Sequence, residues 1–214
     1  MQNLVIDHGA GVRTGADLGV PDDATGLVVF AHGSGSSRHS PRNRMVAERL
    51  RGRGLATLLV DLLTEDEDAG ERRGGRLRFD VELLAERLSG AVDAAVDHPD
   101  LAGLPVGLFG ASTGAAAALV AAARDPGGIA AVVSRGGRPD LAGTHLREVR
   151  SPTLLLVGGE DTQVIGLNEE ARGHLTGPSD LVIIPGASHL FEEPGALEQV
   201  AERAGDWFVR HLAR

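Results

Sequence analysis

The sequence predicts an α/β fold: a three-layer α/β/α sandwich around a mostly parallel sheet of about seven to eight strands. Short, almost continuous apolar runs bounded by glycine or proline recur along the chain, the pattern of strands buried on both faces. Segments with helical caps or a helical apolar stripe fall between most of them. A length of 214 residues with 42% hydrophobic and 24% charged side chains suits one compact domain over residues 1–214. Thirty glycines and ten prolines call for many tight turns and exclude a helical bundle, and they follow no repeat period.

The first buried strand is read at Gly26–His32, and Ala56–Leu62, Pro105–Phe109, Ile129–Val133, Thr153–Val157 and Leu181–Ile184 repeat its pattern. Before them, scattered Val and Leu between Leu4 and Val20 suggest one or two antiparallel edge strands. Ser40 and Pro41 supply an N-cap and a first-turn proline for a helix to Arg51, closed by Gly52 and Gly54. Asp80 caps a helix to Val96 whose stripe of Leu83, Leu84, Leu88, Val92 and Val96 should cover the sheet. Thr113–Arg124 is nearly pure alanine, so a thin helix should lie close against the strands until Asp125-Pro126-Gly127 stops it. The last helix, Gly195–Leu212, carries Trp207 and Phe208 as core anchors, and the charged, glycine-rich stretch Thr64–Arg76 reads as a solvated loop.

Composition excludes whole classes of chemistry. A net charge of −9 with 3% aromatic residues does not suit a nucleic-acid surface, which needs basic charge and stacking rings. The longest strongly apolar stretch, Ala115–Ala123, is far short of the roughly 20 residues that span a membrane, and Met1–Ala10 lacks a secretory pattern. The expectation is a cytoplasmic protein with no membrane partner. The chain has no cysteine and no lysine, which removes thiolate nucleophiles, cysteine metal sites, Schiff-base lysines and the P-loop lysine.

The chemistry concentrates after the strands. Gly110-Ala111-Ser112-Thr113-Gly114 closes a strand and opens the alanine-rich helix. A serine there sits on a strained turn that only small neighbours allow, lifting its Oγ above the sheet edge. A serine hydroxyl needs a base, and the base needs a carboxylate to orient it. Asp161 follows the strand Thr153–Val157 about 50 residues later, and His189 follows the strand Leu181–Ile184, both at the carboxyl edge where open parallel sheets place their sites. Glu160 is the rival acid. Among eight histidines, His8, His39, His98, His174 and His211 read as solvated, while His145 lies in the segment leading to the same mouth. An oxyanion needs two preset N–H donors, assigned to the amides of Thr113, after the nucleophile, and Ser34, in the loop His32-Gly33-Ser34-Gly35-Ser36-Ser37. His32 reads as structural, shaping this loop.

With Ala31-His32-Gly33-Ser34-Gly35, Gly110–Gly114, Gly158-Gly159-Glu160-Asp161 and Pro185–His189, the chain resembles the α/β-hydrolase superfamily from Gly26 to Leu212. It is most similar to the short, capless branch around the dienelactone hydrolases. Ser37-Arg38, Ser40–Asn43 and Ser134–Asp140 further resemble a bacterial subgroup sometimes fused to phosphoribosyltransferase domains, which implies a functional link to that chemistry. Dienelactone hydrolases proper carry a cysteine where this chain has Ser112, so the resemblance implies hydrolysis of small carboxylic esters or thioesters rather than lactone specificity. It implies neither metal nor organic cofactor. The rivals are a noncatalytic relative that binds a ligand or partner in the same pocket, and an acyltransferase or peptidase on the same scaffold.

Arg38 and Arg42 follow the oxyanion loop, and Arg135 and Arg138 follow the strand Ile129–Val133, all on the catalytic edge. Two readings stand: a substrate-binding rim for an anion, since arginine pairs bidentately with carboxylate or phosphate, or ion pairs with Asp140 and other acidic residues.

Overall fold

A computed structural model describes residues 1–71 and 75–213. Its centre is an eight-stranded sheet in the order β1-β2-β4-β3-β5-β6-β7-β8. The strands are β1 (Gln2–Asp7), β2 (Arg13–Gly19), β3 (Gly26–Ala31), β4 (Leu55–Val60), β5 (Val106–Ala111), β6 (Ile129–Arg135), β7 (Thr153–Gly158) and β8 (Ser179–Ile184). From β4 to β8 all neighbours run parallel. The region Leu4–Val20 is a hairpin of two strands, of which β1 alone is at the edge, and β2 pairs antiparallel with β4.

Helices cover both faces. α1 (Pro41–Arg51) and α6 (Ala196–His211) close one, where Phe208 is fully buried and Trp207 donates from its indole to the Pro152 carbonyl. α3 (Val81–Val96) and α4 (Thr113–Arg124) close the other, with α5 (Thr162–Arg172) beside β7 and β8. Every residue of α4 from Thr113 to Ala123 is buried, which explains its composition: a helix enclosed on all sides close to a sheet leaves room for little beyond methyl groups. No cap is inserted among the described residues; β6 and β7 are joined by a 3₁₀ segment, Pro139–Glu148, broken at Gly143.

Three expectations change. The stripe of α3 is turned: Leu84, Leu88 and Val92 are buried with Ala85, Ala91 and Ala95, while Val96 is 47% exposed. The stretch expected as a loop from Thr64 contains α2 (Glu65–Glu71), while residues 72–74 of that stretch lie outside the described residues. α2 begins with a reciprocal cap in which Thr64 Oγ1 accepts from the Glu67 amide and the Glu67 carboxylate accepts from the Thr64 amide. Its acidic first turn complements the helix dipole. α5 was missed because its buried positions Val164, Asn168 and Ala171 include a polar residue, so its stripe is faint.

The β5–α4 junction is the tightest point in the fold. A Cβ at Gly110 would lie 2.4 Å from the Ala115 Cα, and one at Gly114 would lie 2.4 Å from the Ala31 carbonyl oxygen and 2.5 Å from that of His32. Both neighbours are backbone and have nowhere to go. Gly114→Ala is therefore expected to cost about 3 kcal/mol, the upper end of overpacking, and to lower Tm by about 6–12 °C. The turn substitution Gly127→Ala, which meets nothing within 4 Å, should leave Tm nearly unchanged in the same calorimetric comparison.

Candidate active site

Ser112 has φ +50° and ψ −120°, a region that non-glycine residues rarely occupy. Three backbone hydrogen bonds hold it there. Its N–H donates to the Arg135 carbonyl at 3.2 Å, and its own carbonyl accepts from Ala115 N at 3.1 Å and Arg138 N at 3.1 Å. The glycine-rich segment after β6 thus grips the serine peptide on both sides. Gly136, with φ +51°, lets that segment turn under the histidine loop; a Cβ on it would stand 3.0 Å from the His189 carbonyl and 3.6 Å from its Cε1.

His189 Nδ1 lies 2.6 Å from Asp161 Oδ2, so the imidazole carries its proton on Nδ1 toward the carboxylate and leaves Nε2 as the base. The carboxylate side chain is 16% exposed and the imidazole 39%, a partly buried carboxylate beneath a more open ring. The two loops are tied together: Glu160 N–H donates to the Ala187 carbonyl at 3.0 Å, and Gly159 N–H donates to the Ile184 carbonyl at 2.8 Å. Glu160 itself is exposed, which leaves Asp161 as the acid facing the histidine. Glu193 accepts from the Ser188 amide at 3.0 Å, and that bond holds its carboxyl below the usual range while anchoring the loop before His189. Sequence reading gave Glu193 no role.

No hydrogen bond joins Ser112 Oγ to His189 among the described residues; both instead border the Arg135–Gly136 turn. Such contacts often tighten only once substrate is bound.

The loop His32–Ser37 reaches the N-terminus of α4. The Ser34 amide donates to Thr113 Oγ1 at 3.0 Å, so this donor is occupied by a hydroxyl rather than aimed at an open position. His32 is the loop's internal strut: its Nε2 accepts from the Leu62 amide at 3.1 Å and its Nδ1 donates to the Gly33 carbonyl at 2.9 Å. Burial lowers its pKa and keeps it neutral, consistent with a structural histidine. His145 does not approach the mouth; it bonds Glu82 of α3 at 3.1 Å. A cavity of about 700 Å³ opens between this loop and Asp61–Asp68, reaching Ser34 and Thr113.

The four arginines divide. Arg38 bonds Asp61 and Asp17, tying the oxyanion loop to β4 and β2, and Arg138 forms a two-pronged pair with Asp140 at 2.9 and 2.7 Å. Each therefore has two of its nitrogens engaged by carboxylates, and Arg38 also lines the cavity. Among the described residues Arg42 pairs with the exposed Glu192 alone, and Arg135 pairs with no carboxylate.

A hydroxyl on a strained elbow, an imidazole oriented by a carboxylate and amides at a helix N-terminus can together perform nucleophilic acyl transfer. The family model described as "Dienelactone hydrolase family" matches residues 15–212. A crystal structure described as a dienelactone hydrolase from Anabaena variabilis is 56% identical, covers 99% of this chain and 97% of its own, and superposes with a TM-score of 0.96. Est1E from Butyrivibrio proteoclasticus, at 18% identity and a TM-score of 0.82 over 99% of both chains, shares the fold. Two proteins from strains of Mycobacterium tuberculosis, provisionally named phosphoribosyl transferases, are 58% identical over 201 residues. That match covers 94% of this chain but 44% of theirs, so the chain spans less than half the length of these relatives. In fold, length of match and identity, the chain belongs to the dienelactone hydrolase family.

Proposed function

We propose that the chain hydrolyses carboxylic esters or thioesters of small acyl groups through a serine-bound acyl intermediate. The observation that carries this reading is the strained Ser112, clamped at a helix N-terminus across one turn from a histidine whose Nδ1 is held 2.6 Å from Asp161. Ser112 Oγ attacks the carbonyl while His189 Nε2 takes its proton, and Asp161 holds the tautomer and stabilises the imidazolium. His189 then returns the proton to the leaving alcohol or thiol. Water repeats the sequence on the acyl-enzyme.

The oxyanion that forms meets the Thr113 amide, one of the orphan donors of the first turn of α4. The Thr113 hydroxyl is the second donor: it accepts from the Ser34 amide, which leaves its own proton available to donate. Ser34 acts through it. With no cap above, acyl and leaving groups extend into the cavity beside Thr113 and into solvent. A cytoplasmic setting is part of this proposal. So is a functional pairing with phosphoribosyl chemistry, supported only by the provisional name of the longer relatives.

Incubation with a fluorophosphonate followed by intact-mass measurement should give one covalent adduct on the parent chain and none on Ser112→Ala. An adduct that persists in the variant would displace Ser112 as nucleophile, and a parent chain that is folded yet unlabelled would favour a binding protein. Thr113→Val should lower kcat about 100-fold with little change in KM, the size expected for one oxyanion donor, while Thr113→Ser retains most activity. Equal kcat for Thr113→Val and the parent would return the second donor to the Ser34 amide alone.

A further inference from the structure

The polar residue in the buried stripe of α5 reaches toward the nucleophile turn. Asn168 is wholly enclosed, 0% exposed, and shares the inward face of the helix with Val164 and Ala171. Its Nδ2 donates twice: to the Val164 carbonyl one turn back at 2.8 Å, and across to the Gly137 carbonyl at 3.1 Å. Both acceptors are carbonyl oxygens, so the amide faces them with its NH2 group and turns its own oxygen away. That oxygen, Oδ1, is buried with no partner among the described residues. A leucine of similar size would avoid the cost of an unpaired buried acceptor, so the asparagine is explained by what its nitrogen does.

The Gly137 carbonyl and the Arg138 N–H are the two ends of one planar peptide. In a trans peptide they point to opposite sides, and here both ends are held, the carbonyl by Asn168 and the N–H by the Ser112 carbonyl at 3.1 Å. Asn168, this peptide and Ser112 therefore form a continuous chain of hydrogen bonds in which each bond polarises the next. Rotation of the peptide would release the Ser112 carbonyl. Two adjacent glycines, Gly136 and Gly137, make that rotation easy, and no side chain at 137 could restrain it, because a Cβ there would overlap the Ser134 hydroxyl and stand 2.6 Å from the Ala115 Cβ. The restraint comes from Asn168 instead.

α5 also begins at the acid. Asp161 is its N-cap residue, whose carbonyl accepts from the Ile165 N–H at 3.0 Å, and Asn168 lies about two turns further along. One helix thus carries the carboxylate that orients His189 and the amide that fixes the peptide holding Ser112. We infer that Asn168 is a positioning residue of the hydrolytic site: acting through the Gly137–Arg138 peptide, it keeps Ser112 in register with the Asp161–His189 pair. This inference rests on the ester-hydrolase reading and adds a side chain that touches neither substrate nor the reacting atoms.

Two substitutions test it. A helical threonine hydroxyl reaches the carbonyl one turn back, so Asn168→Thr keeps the bond to Val164 and loses the one to Gly137. Asn168→Leu loses both at similar volume. With p-nitrophenyl butyrate, well below the Tm of each variant and with active sites counted by fluorophosphonate adduct, kcat per labelled site should fall about 10- to 100-fold in both, the loss expected for a displacement of about an ångström. KM should stay nearly unchanged, and the rate of labelling should fall with kcat. The acid limb of the pH profile of kcat/KM should keep the parent's position, since the Asp161–His189 bond is left intact. Parent-like kcat in Asn168→Thr overturns the assignment. So does an acid limb that moves together with kcat, which places the damage in α5 as a whole, and so does a lowered Tm with kcat per labelled site unchanged, which leaves a merely structural asparagine. If Asn168→Leu fails to fold, Asn168→Thr decides alone. Hydrolysis by the parent that is lost in Ser112→Ala upholds the hydrolase reading whatever the Asn168 variants do, whereas a folded parent that neither hydrolyses the ester nor takes the label overturns both.

Discussion

The rest of the site hangs on the backbone conformation of Ser112. A serine at φ +50° costs on the order of 1–3 kcal/mol and persists only where its surroundings over-determine it. Here the surroundings are specific: β5 delivers the chain, α4 leaves it at once, and the segment after β6 bonds both the N–H and the carbonyl of the strained peptide. That same segment carries Arg135 on one side and passes beneath His189 on the other. Distort the turn and Ser112, His189 and the buried Arg135 lose their common reference together.

Charge is distributed to serve that geometry. Asp17, almost wholly buried in β2, is matched by Arg38 and Arg44, and Arg38 also grips Asp61 at the end of β4. These contacts fix the stem of the oxyanion loop from outside, while His32 braces it from within through two backbone partners. Neither brace touches the reacting atoms. On the opposite wall, Glu193 fixes the Ser188 amide, and through it the approach of His189 to Asp161. Both walls of the mouth are thus loops made rigid by buried or partly buried polar contacts, which suits a site whose donors must be set before charge develops.

What was legible in the sequence follows from where the physical signal is strong. β3 to β7 read directly because strands covered on both faces are continuous in apolar residues, and β8 read from its apolar run although it is a partly exposed edge; the Ser112, Asp161 and His189 positions read because each follows such a run. α5 was not legible, since Asn168 occupies a buried position of its stripe. Its amide is used inside, donating to the Gly137 and Val164 carbonyls. α2 had a readable cap in Thr64 and Glu67, but the density of charge obscured it. The arginines show the limit of a linear reading: Arg38, Arg42, Arg135 and Arg138 look alike in sequence, and only the fold reveals which of them a carboxylate already holds. The bond between Ser34 and Thr113, 79 positions apart, was beyond any local pattern.

The absence of lysine sharpens what Arg135 can be. A buried lysine readily sheds its proton, because desolvation of a compact ammonium moves its pKa toward neutrality. The delocalised guanidinium does not: even pressed down to about 10 by burial and by Arg42, it keeps its charge at neutral pH. A permanent positive charge therefore lies enclosed beside the Ser112 turn, kept there under burial that a lysine at this position would answer by losing its proton.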